Sequence, residues 1–338
     1  MKAAVYYGPG DMRWEEVEKP ECGKDGVMVE VKACGLCGTD VKTYKRGHPM
    51  FKPPVILGHE FAGEIVEAGD NVSGFGIGDR VVVAPYVPCG MCGMCRLGQF
   101  ELCERKVKLE GAFAQYVMVG REVMEKGMFR IPEGMGYEEA TLVEPLACCL
   151  NALDDCNIRA GDTVLIVGAG PMGLINLEVV KNSGTAKVLV AETHEGRRNK
   201  AAEMGAVAID PASEDAAGRV MEETGGLGVD VLIVAVGLVE VAERYIPLVR
   251  KGGRVNLFGG FPAGSKLAVD PNLLHYNQVV LTGSFGFTPH YIEKALYMIS
   301  QGRVDLKGII THRMELSSVE RAIDLVLRQQ ALKVILYP

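Results

Sequence analysis

One turn constrains this chain more than any other stretch. Gly168-Ala169-Gly170-Pro171-Met172-Gly173 follows an apolar strand-like run at 163–167 and opens a helix-forming run. A bare glycine pattern is weak, but its place between strand and helix gives each position a physical task. Gly168 makes the tight turn, Gly170 lets the backbone approach a diphosphate, and Gly173 lets the helix pack on the strand. A diphosphate held there meets free N–H groups and the positive end of the helix dipole. The next strand ends at Glu192, where a carboxylate accepts hydrogen bonds from ribose hydroxyls and repels a 2′-phosphate. NAD(H) is therefore favoured. Arg197 and Arg198 follow closely, and arginines near that ribose are the groups that hold a 2′-phosphate, so NADP(H) stays open.

The surroundings fit this turn. From about residue 160 strands and helices alternate: TVLIVGAG, a helix through 171–183, KVLVAE, a helix through 195–204, VAID, a helix around 214–224, VDVLIVAVG, a helix at 239–250, and GRVNLFGG. Near-continuous apolar strands between helices predict a doubly wound parallel sheet covered on both faces. Residues 1 to about 120 read instead as short strands between Gly, Pro and Asp, a β-rich domain. Residues 136–156 look helical. After LTGSFGF the alternation stops, a helix covers about 289–301, and Val319, Ala322, Ile323, Val326 and Leu327 share a helical stripe. The closing strand KVILYP predicts that the tail returns to the first domain. At 338 residues, two domains are expected.

Cys89, Cys92, Cys95 and Cys103 follow C-x2-C-x2-C-x7-C. Four thiolates with no further ligand candidate nearby make a closed tetrahedral zinc site, which is structural. The competing reading is an iron–sulfur cluster, but the bacterial ferredoxin run requires x3 and then proline at its last cysteine. Here Glu104 follows Cys103.

A second set of metal-type groups lies in residues 34–64: Cys37, Thr39 and Asp40, then His59 and Glu60. Thiolate, imidazole and carboxylate all suit zinc, and a zinc that does chemistry keeps one position open. Asp40 is placed to take the other ring N–H of a metal-bound histidine. Taken alone, a cysteine and a histidine also read as core filler and a satisfied polar group. Glu144, in the apolar ATLVEPLACC, is either a helix-end charge or a functional acid, because unpaired burial is costly.

Composition narrows the partners. The net charge of −7, without long like-charge runs, argues against nucleic acid and anionic membranes. The opening MKAAVYYGPGD has no apolar leader core, and runs such as VLIVAVGLV at 231–239 are too short for a bilayer. Ten cysteines in a chain of this length suit a reducing cytoplasm, as ligands or small buried groups. Cys148, Cys149 and Cys156 read as core. The apolar strand VNLFGGF (255–261), taken as the end of the sheet, suggests pairing across a two-fold axis, hence a homodimer or homotetramer.

Together, CGLCGTD (34–40), GHEFAGEIVEAG (58–69), the four-cysteine lobe, VEPLAC (143–148), VGAGPMG (167–173) and ITHR (310–313) resemble the zinc-dependent medium-chain alcohol/polyol dehydrogenases, in the sorbitol/threonine dehydrogenase branch. The resemblance runs nearly end to end. It implies an α/β architecture with a GroES-like catalytic domain, 1–150 with 288–338, and a Rossmann NAD(P)-binding domain, 151–287. It implies two zinc ions per subunit, one catalytic and one structural. Cys37 and His59 match the first two ligands of the catalytic zinc. Glu60 matches a glutamate that binds directly in some members and indirectly in others, and Glu144 matches one that binds the metal or its water. With Cys37, His59, Glu60 and Glu144 all bound the tetrahedron is full, so an open site needs one glutamate off the metal, a fifth position, or exchange between the two. Thr39 matches the hydroxyl that relays the substrate proton. Two positions depart from relatives: Lys42 stands where many carry a relay histidine, and Gly286 where sorbitol-type enzymes carry an arginine. His48 reads as a loop residue.

The expected reaction is hydride transfer between a secondary alcohol of the polyol class and NAD+. The alternatives are a dehydrogenase of a phosphorylated sugar alcohol or an aldehyde, and, outside enzymes, a catalytically silent zinc-lobed NAD-binding protein.

Overall fold

The computed structural model describes all residues, 1–338. The chain divides into two compact units, Met1–Ala147 with Phe287–Pro338, and Cys148–Gly286.

The first unit is built on a seven-stranded sheet. Its order runs Met128–Arg130, Arg80–Val83, Glu60–Ala68, Val27–Gly35, Lys333–Tyr337, Ile310–Glu315, with Tyr116–Val119 also pairing to Val27–Gly35. The central strand Val27–Gly35 is buried at seven of nine positions, the exceptions being Glu30 and Lys32, which pair with each other at 2.6 Å. Ile65, Val81, Val117 and Ile335 on its neighbouring strands are buried as well. Truncating one of them, Ile65→Ala, would cost about 2–5 kcal/mol. The end of the central strand matters most, since Gly35 pairs with Glu60 on one side and Ile335 on the other. Two chain segments far apart in sequence thus flank the residues leading into Cys37. A three-stranded sheet, Asp11–Glu16, Lys2–Gly8 and Val55–Ile56, completes this unit.

The second unit is a six-stranded, all-parallel sheet in the order Val207–Ile209, Lys187–Ala191, Thr163–Val167, Val229–Val234, Val249–Leu257, Val280–Gly283. Val164, Leu165 and Ile166 are wholly buried, as are Val231 to Val234. The strand order reverses beside Thr163–Val167, and open parallel sheets bind ligands at the carboxyl ends of strands at such a switch point.

Three readings of the sequence are corrected. The predicted helix at 239–250 ends at Tyr245, followed by a 3-10 turn at Ile246–Leu248 and a strand from Val249. Pro247 explains the break, having no N–H to continue the ladder. The strand containing 255–257 is not the sheet edge, because Val280–Gly283 pairs outside it. The helical stretch 136–156 is two helices, Tyr137–Thr141 and Val143–Asp155. No helix is long and apolar enough to cross a membrane.

Candidate active site

The site in the first unit grows from the end of the central strand. Cys37 caps the helix Gly38–Arg46, and the Asp40 side chain accepts from the Cys37 N–H at 3.0 Å, closing a capping box. Such a box satisfies two of the N–H groups a helix start leaves open. It also fixes the direction of the thiol. The same Asp40, wholly buried, accepts from the Gly58 N–H at 3.3 Å and stands 3.5 Å from Nδ1 of His59. Donor atoms of Cys37, His59 and Glu60 lie within 4.8 Å of one another. Burial opposes a positive charge on His59, but Asp40 and Cys37 outweigh it and raise its pKa well above the ordinary imidazole value.

Glu60 is buried and forms an ion pair with Lys333, itself buried, from the last strand of the chain. Lys333 also donates to the Leu36 carbonyl at 3.4 Å. Room for this pair comes from Gly35: a Cβ there would stand 2.3 Å from Oε2 of Glu60. Glu144 lies in the first turn of Val143–Asp155 and outside the 4.8 Å set. Its carboxyl feels that set nonetheless. Burial, with the charges of Glu60 and Asp40, pushes Glu144 up to about 7 against the pull of His59 and Lys333. Thr39 is half-buried in the helix turn beside Cys37. Lys42 is exposed, and His48 accepts from the Met50 N–H at 3.2 Å within its loop.

Lys333 is the residue that sequence reading missed. The signal was a lysine opening an otherwise apolar strand, a position that demands a carboxylate partner if it is buried.

The donor set suits zinc: a thiolate, an imidazole whose other nitrogen faces a carboxylate, and a carboxylate. The four-cysteine lobe suits it as well. The sulfurs of Cys89, Cys92, Cys95 and Cys103 converge within 4.8 Å, and all are free thiols. Backbone N–H groups of Met91 and Cys89 point at the sulfurs of Cys89 and Cys103, at 3.5 and 3.3 Å. Such donors lower Cys92 to about 6, while burial raises Cys95 to about 12. Four sulfurs this close share a site at ease when a cation neutralises them together.

In the second unit, the glycine turn joins Thr163–Val167 to the helix Pro171–Lys181, with Gly170 at the N-cap, Pro171 at the first helical position and Met172 half-buried after it. A Cβ at Gly173 would stand 1.9 Å from the Gly168 carbonyl oxygen, so only glycine permits this approach. Glu192 accepts from the Ala169 N–H at 2.7 Å and the His194 N–H at 2.8 Å, which ties the turn to the end of the second strand. The two arginines differ. Arg198 is committed to Asp210 at 3.2 Å and to the Glu192 and Thr193 carbonyls at 3.1 and 3.0 Å. Arg197 carries a buried Nε without a partner, and its Nη1 comes within 4.0 Å of the Cβ position at Gly170. A cradle without side chains, a helix start and a guanidinium with an unused donor fit an anionic dinucleotide.

Comparison with known proteins agrees with this geometry. The family described as alcohol dehydrogenase GroES-like domain matches residues 23–133, and the one described as zinc-binding dehydrogenase matches 171–301. Sorbitol dehydrogenase from Halalkalibacterium halodurans is 35% identical, over 100% of this chain and 99% of its own. L-threonine 3-dehydrogenase from Pyrococcus furiosus is 36% identical, over 88% of this chain and 86% of its own. Among solved structures, a zinc-binding dehydrogenase from Sinorhizobium meliloti bound to NADP superimposes with a TM-score of 0.92 at 32% identity, covering 100% of this chain and 99% of that one.

Proposed function

Because the chain belongs to the zinc-dependent medium-chain dehydrogenases, in the sorbitol/threonine dehydrogenase branch, we propose that it transfers a hydride between a secondary alcohol of the polyol or hydroxy-compound class and NAD+. The observation that carries this reading is the convergence of Cys37, His59 and Glu60 in a chain that also builds the Gly168–Gly173 cradle.

Cys37 and His59 would hold zinc together with one of the two carboxylates, Glu60 or Glu144. Bound there, zinc supplies Lewis acidity, which makes an alcohol easier to deprotonate. The chain's own residues do the rest. Asp40 faces Nδ1–H of His59 and accepts from it, which would leave Nε2 free to bind the metal. The Thr39 hydroxyl would accept the alcohol's proton while donating its own toward the cofactor ribose and solvent, since a hydroxyl donates and accepts at once. Glu192 takes the adenosine ribose, and Arg197 faces the phosphates.

NAD(H) is the proposed cofactor because a carboxylate at the end of the second strand, as Glu192 is, accepts from ribose hydroxyls and repels a 2′-phosphate. NADP(H) is the second reading, favoured by the unused Nε of Arg197 and by the NADP bound to the S. meliloti relative. The lobe cysteines are assigned a structural zinc. A subunit pair formed through the edge strand Val280–Gly283 is proposed for the assembly. The test is reduction of NAD+ and NADP+ over a panel of polyols, simple secondary alcohols and threonine. Faster reduction of NAD+ on one alcohol class supports the reading, and no reduction on any member opposes it.

A further inference from the structure

Residues 284–286 follow the outermost strand of the parallel sheet, Val280–Gly283, and belong to no helix or strand. Side chains hold them instead. Ser284 donates to Oδ2 of Asp155 at 2.6 Å and accepts from Nδ2 of Asn256 at 2.7 Å. The Gly286 carbonyl accepts from Nδ2 of Asn151 at 3.2 Å. Asn151 and Asp155 lie on the helix Val143–Asp155, one turn or about 6 Å apart. Ser284 and Gly286 are two residues apart, a step of about 6.6 Å in extended chain. The helix thus presents two polar side chains in step with the segment it holds.

Two of these side chains are costly where they stand. Asn256 is wholly buried and Asn151 is only 5% exposed, and a buried amide is destabilising unless its hydrogen bonds are made. Both direct an N–H at the same short segment. The place of that segment gives the bonds a use. A dinucleotide lies outside the carboxyl ends of the strands, with one mononucleotide half on each side of the switch point. The glycine turn after Thr163–Val167 and Glu192 after the next strand serve the adenosine half. The carboxyl ends of Val229–Val234, Val249–Leu257 and Val280–Gly283 are left to the nicotinamide half, the last of them about 10 Å beyond the first.

We infer that Asn151 is a positioning residue for the nicotinamide end of the cofactor. It holds the Gly286 carbonyl while Asp155 and Asn256 hold Ser284, and together they keep segment 284–286 in place as a wall of that half of the site. The inference rests on the proposed cofactor reading and adds what orders one end of it. Order matters there, since misplacing a reacting group by about 1 Å can cost about 100-fold in rate.

Asn151→Leu keeps the volume and removes the donor. ADP-ribose lacks the nicotinamide, so its affinity reports the adenosine half alone. By calorimetric titration of the zinc-loaded protein, the variant should bind ADP-ribose within about twofold of the wild type and NADH about tenfold more weakly. Its kcat on the best alcohol of the panel should fall about 10–100-fold. Asn151→Gln, which retains an amide donor, should recover part of both losses. Equal losses of affinity for the two ligands, or a lower Tm with both affinities and kcat unchanged, would overturn the inference, because the bonds would then serve only the fold. Should Asn151→Leu not fold, Ser284→Ala, at a half-buried position, is read by the same two titrations. Failure of the cofactor reading itself is distinguishable, since the wild type would then bind neither ADP-ribose nor NADH nor NADPH.

Discussion

The carboxylate of Asp40 stands 3.5 Å from Nδ1 of His59. Its other oxygen accepts from the Cys37 N–H at 3.0 Å, so one buried side chain sets the direction of two candidate ligands from different segments. Asp40→Asn keeps the shape and removes the charge, and it should weaken zinc binding about 10–100-fold. Asp40→Ala also removes the capping interaction, at a further cost of about 1 kcal/mol. Chelator competition reads the first effect and thermal unfolding the second.

The lobe sulfurs and the Cys37 set make separable demands on metal. Cys92→Ser should lower zinc content by about one ion per chain and lower Tm, because structural zinc contributes directly to folding. Cys37→Ala should also lose about one ion but keep a Tm closer to that of the wild type. Metal analysis with calorimetry on both variants checks the contrast. Equal Tm losses would count against the division of labour.

Arg197 and Arg198 should respond differently to alanine. Arg198 is bound to Asp210 and two carbonyls, so its loss mainly loosens the segment after Glu192. Arg197 has a buried Nε without a partner, and Arg197→Ala should raise the cofactor Kd about tenfold, the worth of a hydrogen bond to a charged group. Fluorescence titration with NADH and NADPH measures this, and a greater loss for NADPH would favour the second cofactor reading.

Glu138 gives the first unit a pH response. Arg313 holds it at 2.8 and 2.7 Å, and Tyr337 donates to it as well; together they lower its pKa against the desolvation that would raise it. The folded value lies below the unfolded one, so the stabilisation is present above the unfolded value, about 4.3, and is lost as pH falls through the lower folded value. The pair is partly exposed, so it is worth less than about 1 kcal/mol. Melts at pH 7 and pH 3 should show a smaller difference for Glu138→Gln than for the wild type.

Much of the fold was legible because the sequence carries it locally. The apolar strands and helices after residue 160, and the glycines that only a close turn explains, spell out a parallel sheet strand by strand. The misread parts depend on contacts between distant segments. Pro247 was a local stop signal that the helical pattern at 239–250 overrode, whereas Val280–Gly283 was too short to be recognised as the outermost strand. At the site, Cys37, His59 and Glu60 came from one short stretch whose spacing suggested metal. Lys333 lies far away in sequence, and nothing in KVILYP says whether its lysine faces water or a carboxylate. Glu144 was read as binding the metal or its water, and its distance from the other three is set by where its helix begins, which no local pattern records.

The measurement that bears most directly on the proposed chemistry is the initial rate of NAD+ reduction across the alcohol panel, with wild type and Cys37→Ala compared at equal lobe zinc. Turnover by the wild type on one class of secondary alcohol, absent in Cys37→Ala while NADH still binds, is the expected result. Equal rates in the two proteins, or no turnover by a wild type that holds two zinc ions and binds NADH tightly, would contradict it.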